Sequence, residues 1–221
     1  MHEPLHSLRL RLAAYPAAQL IAVTKTRPLH QIQALYQEGQ RAFGENHALE
    51  MQEKAKSMPP DCEWHFIGHL QTNKVKTIAT HVHTIHSVDS MRLMDEIQKR
   101  AAMAQRKIRV LLQVHIAQEE HKFGIPPETL GDFMYQLQRI EHPNLIVSGL
   151  MGMATQTEDP SQIRQEFRLL NDLFQQIKIN FRSRDTNFRE ISMGMSNDYL
   201  LALEEGSTML RIGSLLFEEG T

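Results

Sequence analysis

Lys25 ends a run of apolar residues in the segment LIAVTKTRP (20–28), where a charged side chain is unexpected. Apolar walls that partly desolvate a lysine lower its pKa, because burial disfavours the charged ammonium. The neutral amine that results can attack a carbonyl carbon and form a Schiff base. The alternative is a lysine whose stem follows apolar surface while its ammonium stays in water, and position alone favours neither interpretation.

A second set of residues has the composition of a phosphate-binding site. The segment SMGMSND (192–198) places Ser196 at a predicted helix start, and RIGS (211–214) places Gly213 beside Ser214. Backbone N–H groups and a small hydroxyl suit a phosphate, and glycine lets the backbone come close to it. Each glycine alone is typical of an ordinary turn, but a reactive lysine opposite a phosphate cradle is a more specific combination.

The elements that must position these residues alternate along the chain. Short apolar or β-rich runs are followed by helical patterns, which is typical of parallel βα units. Eight such units, without a linker-like segment between them, predict an α/β fold with one domain over residues 1–221, a (β/α)₈ barrel of the TIM type. A doubly wound open sheet is the alternative. The predicted strands are 19–25, 41–46, 63–69, 83–89, 108–116, 145–153, 189–195 and 209–217.

The functional site of such a barrel lies at the C-terminal ends of its strands. In this sequence the strand interiors are apolar and polar groups gather at the predicted ends, so the site is expected there. The residues at these ends are Lys25, Asn46, His69, Ser87, His115, Met153, Met195, Ser196 and the turn over 211–214.

Turn and capping residues mark the ends of the predicted helices. Pro28 and Gly39 bound one helix, and either Ser196 or Asn197 begins another. A longer helix begins at Pro160, and its apolar residues recur at helical spacing, which predicts a face that packs on the sheet. That face comprises Ile163, Phe167, Leu170, Phe174 and Ile177.

The composition, with 41% hydrophobic residues and a formal net charge of −2, is that of an ordinary soluble protein. The near-neutral charge argues against a dedicated nucleic-acid binder. Cys62 is the only cysteine, so an intrachain disulfide is impossible and a reducing compartment is expected. No apolar run is long enough for a signal peptide or a membrane span, which predicts a cytoplasmic protein without membrane partners.

The segment HVHTIH (81–86) contains a pair of histidines, His81 and His83, of the kind that binds metal ions in some barrels. Their predicted position is the start of the fourth strand, at the end of the barrel opposite the expected site. No cluster of carboxylates accompanies them in the sequence. Solvated or packed histidines are therefore expected, and no metal site is predicted.

Eight segments carry motifs in a characteristic order: AVTKTRP, FGENHALE, WHFIGHLQTNK, HSVDS, HKFG, GLMGM, SMGMSND and EEGSTMLRIGSLLF. In composition, order and spacing they resemble the YggS/PROSC family of pyridoxal 5′-phosphate (PLP) homeostasis proteins, over nearly the whole chain. This resemblance implies the fold of the alanine racemase N-terminal barrel, without the second domain of that enzyme. Thr24 stands where the family usually has a serine, and it keeps the hydroxyl.

The resemblance also implies roles for individual residues. Lys25 matches the lysine that forms the internal aldimine with PLP, and Arg211 matches the arginine that faces the pyridine nitrogen. Lys122 matches a family lysine, and for it a surface position is the default expectation. The implied phosphate contacts are Ser196, Gly213 and Ser214, and the implied ring-pocket residue is Asn46.

An arginine opposite the ring nitrogen makes PLP a weak electron sink, which disfavours transamination and decarboxylation but not tight binding. The resemblance and this chemistry together predict a non-catalytic PLP-binding protein that maintains vitamin B6 and linked amino-acid homeostasis. Such a protein is expected to be a monomer that meets apo PLP-dependent enzymes transiently.

The alternative is a small PLP-dependent amino-acid racemase, which needs acid–base groups on both faces of the substrate α-carbon. Lys25 could serve one face, but no tyrosine is an evident candidate for the other. A Schiff-base aldolase that acts on a sugar phosphate without PLP is a weaker third hypothesis.

Overall fold

The structure, a computed structural model, describes residues 2–119 and 122–217 of the 221-residue chain. Within these ranges eight parallel strands follow one another around a closed barrel, and the first strand pairs with the eighth. The predicted (β/α)₈ barrel is therefore confirmed, and closure rules out the open sheet. The strands are Gln19–Val23 (β1), Ala42–Glu45 (β2), Glu63–Phe66 (β3), Val82–Val88 (β4), Ile108–Gln113 (β5), Leu145–Met151 (β6), Glu190–Ser192 (β7) and Met209–Ile212 (β8).

Helices follow the strands and cover the outside of the barrel. None of the helices in the described ranges is long and apolar enough to cross a membrane. The helices are Glu3–Leu12 (α1), Leu29–Gln37 (α2), Ala48–Ser57 (α3), Val75–Ile78 (α4), Met91–Met103 (α5), Leu130–Arg139 (α6), Pro160–Phe181 (α7), Tyr199–Glu204 (α8) and Ser214–Phe217 (α9), with 3₁₀ turns at Thr72–Lys74 and Pro127–Thr129.

Every predicted strand is present, but each ends before its apolar or β-rich run does. The largest difference is in β8, where the run 209–217 contains both a strand and a helix. The strand stops at Ile212, and after Gly213 the residues Leu215 and Leu216 belong to α9. A short apolar run does not distinguish a buried strand from a buried helical turn, which explains the error.

Most of the predicted helix ends agree with the structure. All five apolar residues predicted for the inner face of α7 are buried, and Asp159 caps that helix by accepting a hydrogen bond from the N–H of Ser161 at 2.9 Å. The start of α8, however, is later than predicted. Asp198 Oδ1 accepts a hydrogen bond from the N–H of Met195 at 2.6 Å, which keeps this segment in a turn, and the helix begins at Tyr199.

The core has two layers. The larger layer lies between the barrel and its helices and includes the inner face of α1, where Leu5, Leu8 and Leu12 are buried. A smaller apolar cluster takes one residue from each of five strands and lies inside the barrel. Its members are Ile21, Ala42, Leu111, Met151 and Met209.

The strands β6 and β7 lie close together at Gly149, which pairs with Glu190. The φ angle of Gly149 is 155°, and a Cβ atom at this position would collide with the backbone carbonyl oxygen of Glu190. Because that atom belongs to the backbone of a neighbouring strand, it cannot rotate away. Only glycine fits this position without moving the strands apart.

We therefore expect Gly149→Ala to lower the free energy of unfolding by roughly 2–4 kcal/mol, from steric overlap and backbone strain. Urea denaturation followed by circular dichroism measures this change. Gly131→Ala is the matched control, because nothing lies within 4 Å of a Cβ atom at Gly131 in α6. That control should leave the free energy of unfolding unchanged or raise it by up to about 1 kcal/mol, since alanine has a higher helix propensity than glycine. Equal effects of the two substitutions would contradict the close approach.

Candidate functional site

The predicted site residues come together at the C-terminal ends of four neighbouring strands. Lys25 follows β1, Asn46 follows β2, and Ser196 lies in the loop after β7. Because β7, β8, β1 and β2 are consecutive around the closed barrel, residues from both ends of the chain meet at one part of the rim. The eighth strand and the turn after it contribute Arg211, Gly213 and Ser214.

Lys25 lies just past the end of β1, and its side chain is exposed. Of the two interpretations that the sequence leaves open, this exposure fits the lysine whose ammonium stays in water. The chain leaves the sheet at the buried Thr24, so Lys25 stands above the apolar layer rather than within it. Within residues 2–119 and 122–217, its amine takes part in no hydrogen bond or ion pair, so the amine is available to a ligand.

The turn that carries Lys25 is held by α3, through residues that the sequence analysis did not single out. Thr26 adopts a left-handed conformation with φ 61°, and its N–H donates a hydrogen bond to Glu50 Oε1 at 2.6 Å. On the other side, Lys54 Nζ donates to the carbonyl oxygen of Thr24 at 2.7 Å. Contacts with one helix thus fix the backbone immediately before and after Lys25.

Lys54 is a buried cation between two carboxylates. Its Nζ donates to Glu45 Oε1 at 2.8 Å and to Glu50 Oε1 at 2.7 Å, and the Thr24 hydroxyl donates to the same Glu45 oxygen at 2.5 Å. Burial raises the pKa of Glu45, while the hydrogen bonds from Lys54 and Thr24 act in the opposite direction. At Glu50 the desolvation is outweighed by the hydrogen bonds from Lys54 and the Thr26 N–H, which lower the pKa.

Arg211 lies inside the barrel and is only 4% exposed. Its Nη1 donates to the Ser192 hydroxyl at 2.6 Å, and its Nη2 donates to the carbonyl oxygen of Gly152 at 3.0 Å. Burial lowers the pKa of Arg211 to about 10, and the nearby Asp198 carboxylate opposes this shift. The guanidinium therefore remains protonated at neutral pH and places a fixed positive charge inside the barrel.

Ser192 begins a line of hydrogen-bonded side chains that crosses the barrel interior. Its Oγ lies 2.9 Å from His86 Nδ1, and His86 Nε2 lies 2.9 Å from His65 Nδ1. Both imidazoles are fully buried, and burial lowers their pKa values, to about 3 for His65, so both are neutral. This line joins the surroundings of Arg211 to the third strand on the other side of the barrel.

The two loops of the predicted phosphate cradle are adjacent. The N–H of Gly213 donates to Ser196 Oγ at 3.4 Å, and the N–H of Arg211 donates to the carbonyl oxygen of Gly194 at 3.0 Å. Gly194 has φ 94°, and a Cβ atom there would lie 2.6 Å from Ala202 Cβ, so glycine lets this loop pack close to α8. The arrangement brings the Gly213 N–H and the Ser196 hydroxyl together, and both are groups that phosphate sites use.

Asn46 contains a buried side-chain oxygen, Oδ1, that has no hydrogen-bond partner in the part of the chain that the structure describes. Buried polar atoms without a partner are rare in proteins. The loop after β3 packs tightly here, because a Cβ atom at Gly68 would collide with the Asn46 carbonyl oxygen. An unpartnered acceptor held in a tightly packed position suits contact with a bound molecule.

Lys122, unlike Lys25, has an amine that is already engaged. Its Nζ donates to the carbonyl oxygen of Ala154 at 2.8 Å and forms an ion pair with Glu119 at 2.8 Å. These contacts connect the loop after β5 to the loop after β6. The side chain is only half-buried, and its contacts are those of a residue that stabilises the rim.

The family model for the alanine racemase N-terminal domain matches residues 6–219. The pyridoxal phosphate homeostasis protein of Aquifex aeolicus (strain VF5) is 42% identical over 204 residues, which cover 91% of this chain and 87% of the relative. The chain belongs to this family of pyridoxal phosphate homeostasis proteins. The resemblance inferred from the sequence motifs is thus confirmed.

Solved structures of the family have the same architecture. PipY of Synechococcus elongatus PCC7942, solved without PLP, superposes with a TM-score of 0.91 at 34% identity and covers 98% of this chain and 99% of PipY. PipY solved with PLP bound superposes with a TM-score of 0.88 at 33% identity, with the same coverage of both chains. The barrel described above is therefore the fold that these PipY structures share.

The buried position of Lys54 leads to a prediction for stability. Lys54→Met leaves the fully buried Glu45 carboxylate without its cation and releases the Thr24 carbonyl, so we expect a loss of about 3–5 kcal/mol in the free energy of unfolding. Lys56→Met, at an exposed position of the same helix, is the control and should change it by less than about 0.5 kcal/mol. Urea denaturation measures both. Addition of Glu45→Gln to Lys54→Met should recover part of the loss, and failure to do so would contradict the ion pair as its cause.

Proposed function

We propose that this chain binds PLP and holds it as a Schiff base on Lys25. The observation that carries the proposal is that the backbone around Lys25 is anchored on both sides by α3, while the exposed amine has no partner in the described ranges. A fixed backbone with a free amine is what reversible attachment of an aldehyde needs. The bound PLP in PipY, which is 33% identical to this chain, supports the same ligand here.

The other predicted contacts fit the remaining parts of PLP. Ser196, Gly213 and Ser214 would hold the phosphate, since their loops present hydroxyl and backbone N–H groups side by side. Asn46 would line the ring pocket, where its unpartnered oxygen can accept a hydrogen bond. Arg211 would face the pyridine nitrogen from its fixed position inside the barrel.

PLP supplies an electrophilic aldehyde and an electron sink, and the sink is strongest when an acidic residue keeps the ring nitrogen protonated. Arg211 cannot play that part, because its guanidinium stays charged at neutral pH even though burial lowers its pKa to about 10. Two of its donors are bound to Ser192 and Gly152, which prevents the side chain from moving aside. This chemistry supports a protein that retains PLP without transforming amino acids efficiently.

We infer from this that the chain, as a single PLP-binding barrel domain, contributes to vitamin B6 and linked amino-acid homeostasis and has no robust catalytic activity. The names of its relatives support the homeostatic role. In this proposal it acts in the cytoplasm as a monomer, and apo PLP-dependent enzymes are its transient partners.

The positions of the tyrosines favour this role over amino-acid racemisation. A racemase would need a second acid–base group opposite Lys25, and a tyrosine would be the obvious residue. None of the four tyrosines follows a strand end at the rim. Tyr15 lies between α1 and β1, Tyr36 donates to Asp61, Tyr135 packs against Phe181, and Tyr199 accepts from Arg11.

The first test is the visible absorption spectrum of protein incubated with PLP, before and after borohydride reduction. The unmodified protein should be yellow, lose its band on reduction and carry the label on Lys25 in a peptide map. Lys122→Ala, at the same rim, is the control and should behave like the unmodified protein, whereas Lys25→Ala should acquire no reducible band. A label on Lys122, or a band retained by Lys25→Ala, would falsify attachment at Lys25.

The second test separates PLP retention from racemisation. Protein loaded with PLP is incubated with L-alanine in deuterium oxide, and incorporation of deuterium at the α-carbon is followed by NMR. We expect a rate no higher than that of an equal concentration of free PLP, because Arg211 weakens the electron sink. Exchange well above that background, and absent in Lys25→Ala, would establish a racemase instead.

A further inference from the structure

A compact group of three potential metal ligands lies at the N-terminal end of the barrel, opposite the proposed PLP site. Glu63 is the first residue of β3, His65 follows two residues later, and His83 lies near the start of β4. One carboxylate oxygen and one nitrogen from each imidazole all lie within 4.8 Å of one another. No cluster of carboxylates accompanies His83 in the sequence, but in the structure Glu63 from the neighbouring strand lies close to it.

The register of β3 and β4 explains how these residues meet. Side chains two apart on a strand point to the same face, so Glu63 and His65 share one face of β3. The pairing between the strands shifts after Trp64, where β4 contains an extra residue, and that residue is His83. This irregularity brings the His83 ring within 5.6 Å of the His65 ring, measured between centroids.

His65 provides the second, independent observation. Its side chain is fully buried, and its Nε2 atom has no hydrogen-bond partner in the described ranges. The other ring nitrogen, Nδ1, is bound to His86 Nε2 at 2.9 Å, so the ring cannot turn to satisfy Nε2 without losing that bond. A fully buried nitrogen without a partner is costly, which indicates that a ligand satisfies it.

We propose that Glu63, His65 and His83 form a binding site for a divalent transition-metal ion of the zinc type. Two imidazoles and a carboxylate are a ligand set that zinc uses in proteins, with bonds of about 2.0–2.2 Å. An ion at the centre of three atoms that lie within 4.8 Å of one another is at most roughly 2.8 Å from each, so a closure of less than about 1 Å by each side chain completes the bonds.

In each of the two histidines, the ring nitrogen that would not bind the ion already has a hydrogen-bond partner. His83 Nδ1 lies 2.9 Å from the Thr84 hydroxyl, and His65 Nδ1 contacts His86. Metal-binding histidines generally use the nitrogen away from the metal in this way, because the hydrogen bond fixes the tautomer and the ring orientation. Glu63 is held by Gln19, whose Nε2 donates to Oε2 at 3.0 Å. Each proposed ligand therefore has a partner that orients it.

The hydrogen-bonded line through His86 determines which tautomer the metal requires. If His65 binds an ion through Nε2, its Nδ1 carries the proton and donates to His86 Nε2. His86 then carries its own proton on Nδ1 and donates to the Ser192 hydroxyl, which also accepts from Arg211. Metal binding thus selects one of the two directions in which the hydrogen bonds of this line can donate. The opposite direction would place the proton on His65 Nε2 and leave that N–H group without a partner.

The charges around the group act in both directions. The Glu63 carboxylate attracts a cation, whereas Arg106 and Arg109 are close enough to act on His83 and repel one. We therefore expect an exchangeable ion, bound less tightly than in a structural zinc site with thiolate ligands.

The test is a titration of chelator-treated full-length protein with Co²⁺, followed by its visible absorption, and with Zn²⁺ in competition with a chromophoric chelator. We expect one ion per chain and at least a tenfold weaker affinity in Glu63→Gln and in His83→Gln. The chain has 12 histidines, so a control is needed, and His81→Gln is suitable because His81 lies outside the group. That control should bind like the unmodified protein.

Thermal unfolding gives a second readout that does not depend on colour. Zn²⁺ should raise the melting temperature of the unmodified protein and of His81→Gln, but not that of Glu63→Gln or His83→Gln, because an ion that binds only the folded state stabilises it. All titrations are repeated in Lys25→Ala, which excludes a contribution from PLP chemistry. Absence of one-equivalent binding, or equal affinity in all variants, would overturn the proposal.

Discussion

The pairing of β1 with β8 closes the barrel and joins the two ends of the sequence. Four residue pairs, from Gln19 with Met209 to Ala22 with Ile212, connect these strands in register. Ile21 is paired with Arg211, so the end of β1 and the turn after β8 reach the rim side by side. Without this closure Lys25 would stand at the edge of an open sheet, apart from the loops that resemble a phosphate cradle.

The fold accommodates two buried cations by different means. Lys54 lies between the barrel and α3, where two carboxylates and a carbonyl oxygen surround its ammonium. Arg211 lies inside the barrel and donates to the neutral oxygens of Ser192 and Gly152, with Asp198 as a more distant counter-charge. Removal of a charge from water is costly, so each cation must donate hydrogen bonds to several acceptors at once. One fixes the backbone beside Lys25, and the other places a fixed positive charge inside the barrel.

The interior of the barrel therefore contains buried polar side chains as well as apolar ones, although the sequences of its strands are mainly apolar. A line of polar side chains runs from Arg211 through Ser192 and His86 to His65, beside an apolar cluster that includes Ile21 and Leu111. Hydrogen bonds of this kind are strong in surroundings of low dielectric constant, and they are costly when left incomplete. The line begins near the proposed PLP site and ends at the group formed with Glu63 and His83, which lies at the opposite end of the barrel.

Local patterns in the sequence were sufficient for the alternation of strands and helices, the inner face of α7 and the set of residues at the strand ends. These features depend on residues close together in the chain, through period-two and period-3.6 spacing and through caps such as Asp159. The spacing of Glu50 and Lys54 predicts at most a surface pair on a helix, and only packing against Glu45 buries it. Likewise, the register shift that brings Glu63 to His83 depends on two strands nearly 20 residues apart. The sequence by itself therefore determined the elements and the chemistry available at their ends. Tertiary structure alone decided the exposure of Lys25 and the partners of each buried charge, because both depend on strand register, closure and desolvation by residues distant in the chain.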